Sequence, residues 1–482
     1  MNSTLSKMLT ESLGTPQFAP KSYTEKEQKL HAKFENNSEA MAALDVLKHT
    51  NIPVFLTGNA GTGKSLFIEM ASTLCTGLCH VVAPTGVAAW NVNGSTINSF
   101  FHFPPGLHFP NDTAIKKIRF NGIMKEQISL IDLLVIDEIS MVNSATLDCM
   151  DRVLRDLFWV NKPFAGIKTL FIGDPFQLAP VLNPEERKVL RTQYESEYFF
   201  DSEVFQKISP LKIELQTSYR QTDPEFCKIL NNLRCYTNLN TSISNLNRKC
   251  VDKRSKKLVN SQTSITLAFT NKVADKINTE ELNKLPGQMQ TFTAIVTGDF
   301  DWRSIIVDQE LNLKEGARVM FTKNDLNGQY VNGTMGIVKE LGQEKIVILS
   351  DEGKTIEVEK ALWQSKKYKK IYVDYSSHYG YEVTGTMEQF PLKLAWAITV
   401  HKSQGLTFDN VYLLNSTNSF AAGQTYVALS RCRSLEGLSL YKNIAKSDII
   451  QDKDILEFHK SVEYDKQNVT DVMQEIESHF KN

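Results

Sequence analysis

The residues best suited to chemistry lie in three short stretches, each closing an apolar run. "GNAGTGKS" sets Gly58, Asn59, Ala60, Gly61, Thr62 and Gly63 ahead of Lys64 and Ser65. Such a loop presents backbone N–H groups and a helix N-terminus to phosphates, with the lysine on the β and γ groups and the serine hydroxyl on Mg²⁺. "LLVIDEIS" ends in adjacent carboxylates, Asp137 to hold Mg²⁺ and Glu138 to orient and deprotonate an attacking water. "FIGDPFQLAPV" adds Asp174 and Gln177, the latter an amide suited to a γ-phosphate or its water. Each stretch alone would pass for a solvated strand end or a Gly-rich turn. Together they imply nucleotide hydrolysis rather than binding alone.

Phosphoryl transfer also requires positive charge opposite the γ-phosphate. Arg220 in "TSYRQ" and Arg431 in "VALSRCR", with Arg433 beside it, are the candidates beyond the first domain. Arginine supplied by a second domain would tie hydrolysis to closure of a cleft. A polar knot, His401, Lys402, Ser403, Gln404 and Gly405, breaks the apolar stretch "AWAITVHKSQGLTFDNVYLL" and marks a further site rather than core.

These residues need strand ends to hold them. Short β-rich apolar runs at 53–58, 80–86, 133–138 and 168–174 alternate with helical segments, the spacing of buried parallel strands with crossover helices. A second set, at 264–271, 394–400, "NVYLL" and 438–441, predicts a similar second α/β domain. From about 292 to 388, short strands follow one another between Gly, Asn and Asp turns, which predicts a small inserted β-barrel. The resulting assignment is a flexible tail over 1–35, a first domain over 36–212, a second over 213–291 and 389–445, the barrel over 292–388, and a charged helical tail over 446–482.

With 54 Lys plus Arg against 55 Asp plus Glu, the net charge of −1 makes no whole-chain case for a polyanionic partner. Nucleic-acid contact would rest on local groups. The run at 247–258 reads as a solvated loop, while that at 366–370 is interleaved with Tyr368 and Tyr372 and could touch DNA. Seven scattered cysteines without zinc-site spacing point to a reduced intracellular compartment, cytoplasm or nucleus. The sequence shows no membrane-spanning stretch and no signal-peptide core.

In order, "GNAGTGKS", "APTGVAAWNVNGSTINSFF", "IDEISMV", "GDPFQLAPV", "TSYRQ", "YVNGTMGIV", "TVHKSQGLTFDNVY" and "TYVALSRCRS" resemble the motif series of superfamily 1B helicases. They are most similar to the Pif-type family, whose cousins include RecD and Dda, and the likeness spans about residues 52–441. "ATLDCMDRVLRDLFWVNKPFAGIK" also resembles that family's signature segment. The resemblance implies an α/β fold of two RecA-like P-loop NTPase domains, with a small insertion in the first (about 94–130) and an SH3-like β-barrel in the second. It implies ATP and Mg²⁺ as cofactors and 5′-to-3′ movement on single-stranded DNA, unwinding a duplex or fork with a 5′ tail. A monomer that works with replication or repair proteins fits that picture.

By the same resemblance, Pro84, Thr85, Gly86 and Thr96 contact DNA from the first domain, and Asn271, His401, Lys402 and Ser403 from the second. Gln404 and Gly405 would lie toward the nucleotide, and Arg220 and Arg431 would engage its γ-phosphate. The cluster Phe100, Phe101, His102 and Phe103 is either a base-stacking platform or core, and "FHFPPGLHFPND" is the candidate strand-splitting segment. Two positions depart from the family pattern: Glu39 lacks the following Gln that reads adenine, and Asn98 stands where His is common. The alternatives are a translocase that remodels DNA or RNA structures with little unwinding, a kinase on the same phosphate loop, and a nonenzymatic DNA-binding protein. The kinase would not need the second strand set, and the last would not need Lys64 or Glu138.

Overall fold

The first sheet is built on β1 (Val54–Gly58), five residues with none facing solvent. A strand apolar on both faces must be covered on both, so it sits inside a parallel sheet with helices on either side. The computed structural model describes Leu5 and residues 7–9, 24–75, 77–104, 106–221, 223–250, 264–300, 307–323, 325, 328–330, 332–373, 376–416 and 419–481. It divides into two compact units, Met1–Arg220 with Gln451–Asn482, and Gln221–Ile450.

In unit 1, β2 (Leu78–Ala83), β3 (Ser95–Thr96), β4 (Ile131–Ile136), β5 (Lys168–Ile172) and β6 (Leu211–Leu215) join β1 in a six-stranded sheet of order β3-β2-β4-β5-β1-β6. Every pairing is parallel. All the carboxyl ends therefore lie along one edge, where the phosphate loop, the carboxylate pair, the Gln177 loop, the "APTG" loop and "TSYR" leave neighbouring strands.

The placement of β6 corrects one expected boundary. A division after residue 212 would cut this strand, whose five residues all pair with β1; the units part after Arg220. The two chain ends correct the expected tails. Leu5, Leu9 and Phe34 are buried in the core with Val54, Leu56 and Phe67, so the described part of 1–35 packs rather than trails. The C-terminal helix Lys453–Lys481 returns to unit 1, burying Val472 and Ile476 in the same core. Its Asp465 carboxylate accepts from the backbone N–H (3.1 Å) and the ammonium (3.2 Å) of Lys212, closing the free edge of β6.

Unit 2 holds a four-stranded parallel sheet, order β18-β7-β19-β20, of β7 (Ile265–Ala268), β18 (Ala397–Thr399), β19 (Val411–Leu414) and β20 (Leu438–Leu440). Between β7 and β18 lies the β-rich insertion. Its main sheet is antiparallel, order β14-β13-β12-β11-β17, formed by β11 (Arg318–Phe321), β12 (Met335–Leu341), β13 (Lys345–Ser350), β14 (Thr355–Glu359) and β17 (Leu392–Leu394). Beside it are the pair β8 (Gln290–Thr293) with β10 (Glu310–Leu313), and the three-stranded set β9 (Ile295–Gly298), β15 (Ala361–Val373) and β16 (Ser376–Gln389). Val319, Phe321, Ile346, Ile348 and Leu392 fill its core.

The insertion is longer than expected at both ends. The 392–394 segment pairs with β11 rather than joining the second α/β sheet, and Ala395 and Trp396 divide it from β18. Residues 251–258 of one basic run, and the side chains of the 366–370 run, lie outside the described set.

The C-terminal helix also carries Phe458, stacked on Phe200 at 4.4 Å with an interplanar angle of 9°. Phe458→Ala is expected to cost unit 1 about 2–3 kcal/mol, read as a lower midpoint in urea unfolding.

Candidate nucleotide and nucleic-acid sites

The phosphate loop has the shape its glycines allow. A Cβ on Gly58 would stand 2.7 Å from both the Leu215 carbonyl oxygen and Thr62 Oγ1, and Gly61 and Gly63 take φ of +85°. Thr62 Oγ1 donates to the Asn59 carbonyl (2.9 Å), bracing the turn from inside. Lys64 opens the helix Lys64–Ser72, and its Nζ donates to the carbonyls of Gly58 (2.7 Å) and Asn59 (2.9 Å). The ammonium thus spans the loop mouth, where phosphate oxygens can take over from those carbonyls. Ser65, next in line, is exposed.

Beside the loop, β4 delivers Asp137, whose N–H donates to the Val82 carbonyl (2.9 Å). Burial, then the neighbouring Glu138 charge, push its carboxyl up to about 7, against the pull of the Glu138 backbone N–H and of Lys64. Glu138 occupies the left-handed region at φ 48° and ψ 43°, a conformation that costs a non-glycine residue about 1 kcal/mol or more. A buried, cation-poor carboxylate suits a hard divalent ion such as Mg²⁺, which keeps water and phosphate among its ligands. Among the described residues there is no cluster of three or more His, Cys, Asp or Glu that would cage a metal without help from substrate.

The Gln177 loop leans directly on this turn. A Cβ on Gly173 would lie 2.9 Å from Ile139 Cγ2 and 3.0 Å from Ile139 N, so only glycine lets β5 approach so closely. Asp174, fully buried, accepts from the Phe176 N–H (3.2 Å) and from Gln177 Nε2 (3.4 Å). Gln177 is thereby held by Asp174 and is itself buried.

Sequence reasoning passed over Tyr219 and Asn37. The Tyr219 N–H donates to the Gly61 carbonyl (2.8 Å), and its hydroxyl accepts from Asn37 Nδ2 (3.2 Å). Asn37 in turn caps the helix Ser38–His49 through the Ala40 N–H (2.9 Å). The ring of Tyr219 meets Phe34 edge-on at 6.1 Å. A tyrosine next to an arginine carries no spacing signal; only the fold brings "TSY" onto the loop. Arg220 follows at the end of unit 1, half-buried.

On the proposed DNA side, Thr85 Oγ1 caps the helix Gly86–Asn91 (3.2 Å to Ala88 N), and Thr96 Oγ1 caps Ile97–Phe100 (3.2 Å to Ser99 N). Pro84, Thr85 and Gly86 are half-buried at the carboxyl end of β2. The aromatic cluster resolves as core: Phe100, Phe101 and Phe103 are buried, and His80 stacks on Phe100 at 4.1 Å. His102 alone of the four is exposed. Phe103 and Phe109 anchor both ends of the candidate strand-splitting segment, leaving exposed Gly106 and half-buried Pro104, Leu107 and His108 between them; Pro105 lies outside the described set.

In unit 2, Asn271 is exposed at the start of the helix Asn271–Lys284 after β7, and the turn His401–Ser403 follows the adjacent β18. His401 is half-buried, which lowers its pKa, and Lys402 is exposed. Two of the expected contact residues are turned inward here. Ser403 is fully buried and its hydroxyl donates to the Val400 carbonyl (2.7 Å), so it shapes the turn instead of reaching outward. Arg431 is 1% exposed, donating from Nε to the Val427 carbonyl (3.0 Å) and from its terminal nitrogens to the carbonyls of Ser403 (3.5 Å) and Leu406 (3.4 Å) and to Ser430 Oγ (2.8 Å). Its guanidinium fastens the polar knot to the helix Gln424–Ser430; carbonyls that leave a strand end unpaired need such a donor when buried. Gln404 is buried and Gly405 is exposed at φ +80°.

The chain is similar to known proteins over most of its length. Residues 35–249 match the PIF1-like helicase profile, and residues 394–435 match that of the UvrD-like helicase C-terminal domain. The ATP-dependent DNA helicase PIF1 of Danio rerio is 30% identical over 421 residues, 84% of this chain; the match spans 61% of the length of that relative. The structure of Bacteroides sp. Pif1 in complex with ADP-AlF4 superimposes with a TM-score of 0.77 at 35% identity, covering 92% of this chain and 98% of the other. Bacteroides Pif1 bound to ssDNA gives a TM-score of 0.65 at 36% identity, covering 92% and 97%.

Two substitutions probe the carboxylate turn. Because the folded-state carboxyl of Asp137 lies near 7 rather than the ordinary 3.8, the folded state holds the proton more tightly, and stability falls as pH rises through that window. Asp137→Asn is expected to flatten this dependence, raising the thermal midpoint at pH 8 without nucleotide or divalent ion, while lowering ATP turnover by about 10² or more. Gly173→Ala is expected to cost about 1–3 kcal/mol and to lower turnover with it, since the added methyl must displace Ile139 next to Glu138.

Proposed function

The chain belongs to the PIF1-like helicase family, and from that premise we propose that it is an ATP-dependent 5′-to-3′ DNA helicase that moves on single-stranded DNA and unwinds duplex. The observation that carries the reading is the single sheet edge in unit 1 that gathers Lys64, Asp137, Glu138 and Gln177, together with a second parallel sheet that presents Asn271, His401 and Lys402. A kinase or a passive DNA-binding protein has no use for both. ADP-AlF4 and ssDNA, bound by the similar Bacteroides proteins, are the ligand classes this pairing of sites would take.

In this reading the loop amides of residues 59–63 and the Lys64 ammonium bind the ATP phosphates. Ser65 and Asp137 would hold Mg²⁺, which would supply charge neutralisation to the phosphates. Glu138 takes the proton of the attacking water, and Gln177 orients that water from its seat on Asp174. Arg220 supplies the cation toward the γ-phosphate, and Arg431 positions the 401–406 turn. Pro84, Thr85, Gly86 and Thr96 from unit 1, and Asn271, His401 and Lys402 from unit 2, grip the strand; alternating grip converts turnover into steps. Thr85 and Thr96 keep their caps and offer backbone groups.

The β-rich insertion, with its bulged strand β12 and antiparallel order, is read as SH3-like. None of the seven cysteines forms a disulfide, which supports a reduced compartment, cytoplasm or nucleus. Among the described residues no helix is long and apolar enough to cross a membrane. A monomer acting with replication or repair proteins on a fork with a 5′ tail completes the proposal.

The test is ATP turnover with and without single-stranded DNA, followed by unwinding of duplexes tailed at either end. DNA-stimulated turnover with separation of 5′-tailed duplex only is the expected result. Stimulation without separation of either substrate would replace the helicase by a translocase. Glu138→Gln is expected to lower turnover by about 10² or more while nucleotide still binds; wild-type turnover would remove Glu138 from its role.

A further inference from the structure

The C-terminal helix Lys453–Lys481 turns a stripe of Ile455, Phe458, Val462 and Asp465 toward unit 1, the residues spaced three and four apart. Ile455 and Val462 are buried, and Phe458 meets the rings of Phe55, Phe199, Phe200 and Phe205. His459 falls on the same stripe, after Phe458 and ahead of Val462, where an apolar side chain would be the ordinary filling. It is half-buried, and its ring meets that of Phe176 edge-on, with centroids 5.0 Å apart and an interplanar angle of 79°. Phe176 belongs to the loop that carries Gln177.

The helix is pinned on either side of this contact. Asp452, just ahead of it, accepts from the Tyr198 hydroxyl (2.5 Å) and from the Asp454 N–H (3.0 Å). Farther along, Asp465 accepts from the backbone and the ammonium of Lys212. At the rise of an α-helix these anchors stand about 20 Å apart, and His459 lies midway between them.

The loop is as tightly built on its own side. Phe176 is buried, and its N–H donates to Asp174 Oδ1 (3.2 Å). The Gln177 N–H donates to the Asp174 carbonyl (2.9 Å), and Gln177 Nε2 to Asp174 Oδ2 (3.4 Å). One aspartate therefore ties the backbone of Phe176 to the amide of Gln177. With Nε2 engaged by the aspartate, the amide oxygen is the atom left to accept from a water. A shift of the Phe176 ring would pass through this turn to that oxygen.

We propose that His459 is a positioning residue for Gln177: its ring seats Phe176, and the Asp174 turn carries that placement to the amide that orients the attacking water. The C-terminal helix thereby acts on hydrolysis through the Gln177 loop. An aliphatic side chain would fill the same space, but it lacks the edge-to-face attraction that fixes the angle of the Phe176 ring. The inference rests on the reading of Gln177 as the group that orients the water.

The full chain is tested by steady-state ATP turnover with saturating single-stranded DNA, alongside ADP affinity and the thermal midpoint. His459→Leu, which keeps most of the volume, is expected to lower kcat about fivefold while the KM for ATP, the ADP affinity and the midpoint stay near wild type. His459→Phe, which restores a ring, is expected to recover most of kcat. Phe176→Leu should match His459→Leu, and the two together should lose no more than either alone, since both break one contact. Gln177→Ala should lower kcat by itself, and adding His459→Leu to it should change nothing further. A wild-type kcat in His459→Leu, or a loss that persists undiminished in the Gln177→Ala background, overturns the positioning role and leaves the reading of Gln177 standing. A lowered midpoint with kcat unchanged below it would make His459 a packing residue only and also overturns the role. Wild-type turnover in Gln177→Ala overturns the reading of Gln177 and this inference with it.

Discussion

Unit 1 depends on how closely backbone can approach backbone at the end of β1. The strand is buried on both faces and flanked by β5 and β6, so its last residue, Gly58, meets the Leu215 carbonyl with no room for a side chain. That contact lets the phosphate loop turn at once into the helix Lys64–Ser72, with left-handed Gly61 and Gly63 completing the turn. The same economy of space recurs at Gly173, which allows β5 to come within contact of the Glu138 turn. A glycine at the end of β1 and another at the end of the neighbouring β5 therefore set how closely the phosphate loop and the Glu138 turn approach these strands. The left-handed backbone at Glu138 stands where that close approach occurs.

Buried charge is handled differently in the two units, and the difference tracks what each site is for. Asp137 has the Glu138 backbone N–H and Lys64 to set against burial and the Glu138 charge, and they fall short, a deficit that a divalent ion would fill. Arg431 is satisfied inside the protein by carbonyls of the knot and of its own helix, which makes it a brace. Asp465, carried in on the C-terminal helix, covers the edge of β6 by accepting from the Lys212 backbone. A satisfied buried ion fixes shape; an unsatisfied one at an edge marks where a ligand belongs.

Much of the α/β architecture was legible because parallel strands buried on both faces are apolar throughout and end abruptly in polar loops, as β1, β4 and β5 do. The chain ends were not legible. Leu5 and Leu9 sit in a stretch too polar and Pro-interrupted to suggest a core, and the charged surface of the C-terminal helix conceals the apolar stripe that carries Val472 and Ile476. The aromatic run at 100–103 was ambiguous because rings serve equally to stack on bases and to fill cores; burial decides it in favour of core.

By itself, the sequence determined the order of strand-end motifs, and so the proposal of Lys64, Asp137, Glu138 and Gln177 as a chemical set, because loop chemistry depends on residue type and local spacing. It also determined two α/β halves with a β-rich insertion, since the change from helical to closely spaced strand patterns is local. Only tertiary structure decided that Tyr219 and Asn37 meet at the phosphate loop and that Arg431 and Ser403 are turned inward. Those outcomes depend on which carbonyls are left unpaired and which charges are brought together when distant strands pair, and these are set by long-range contacts that no local pattern encodes.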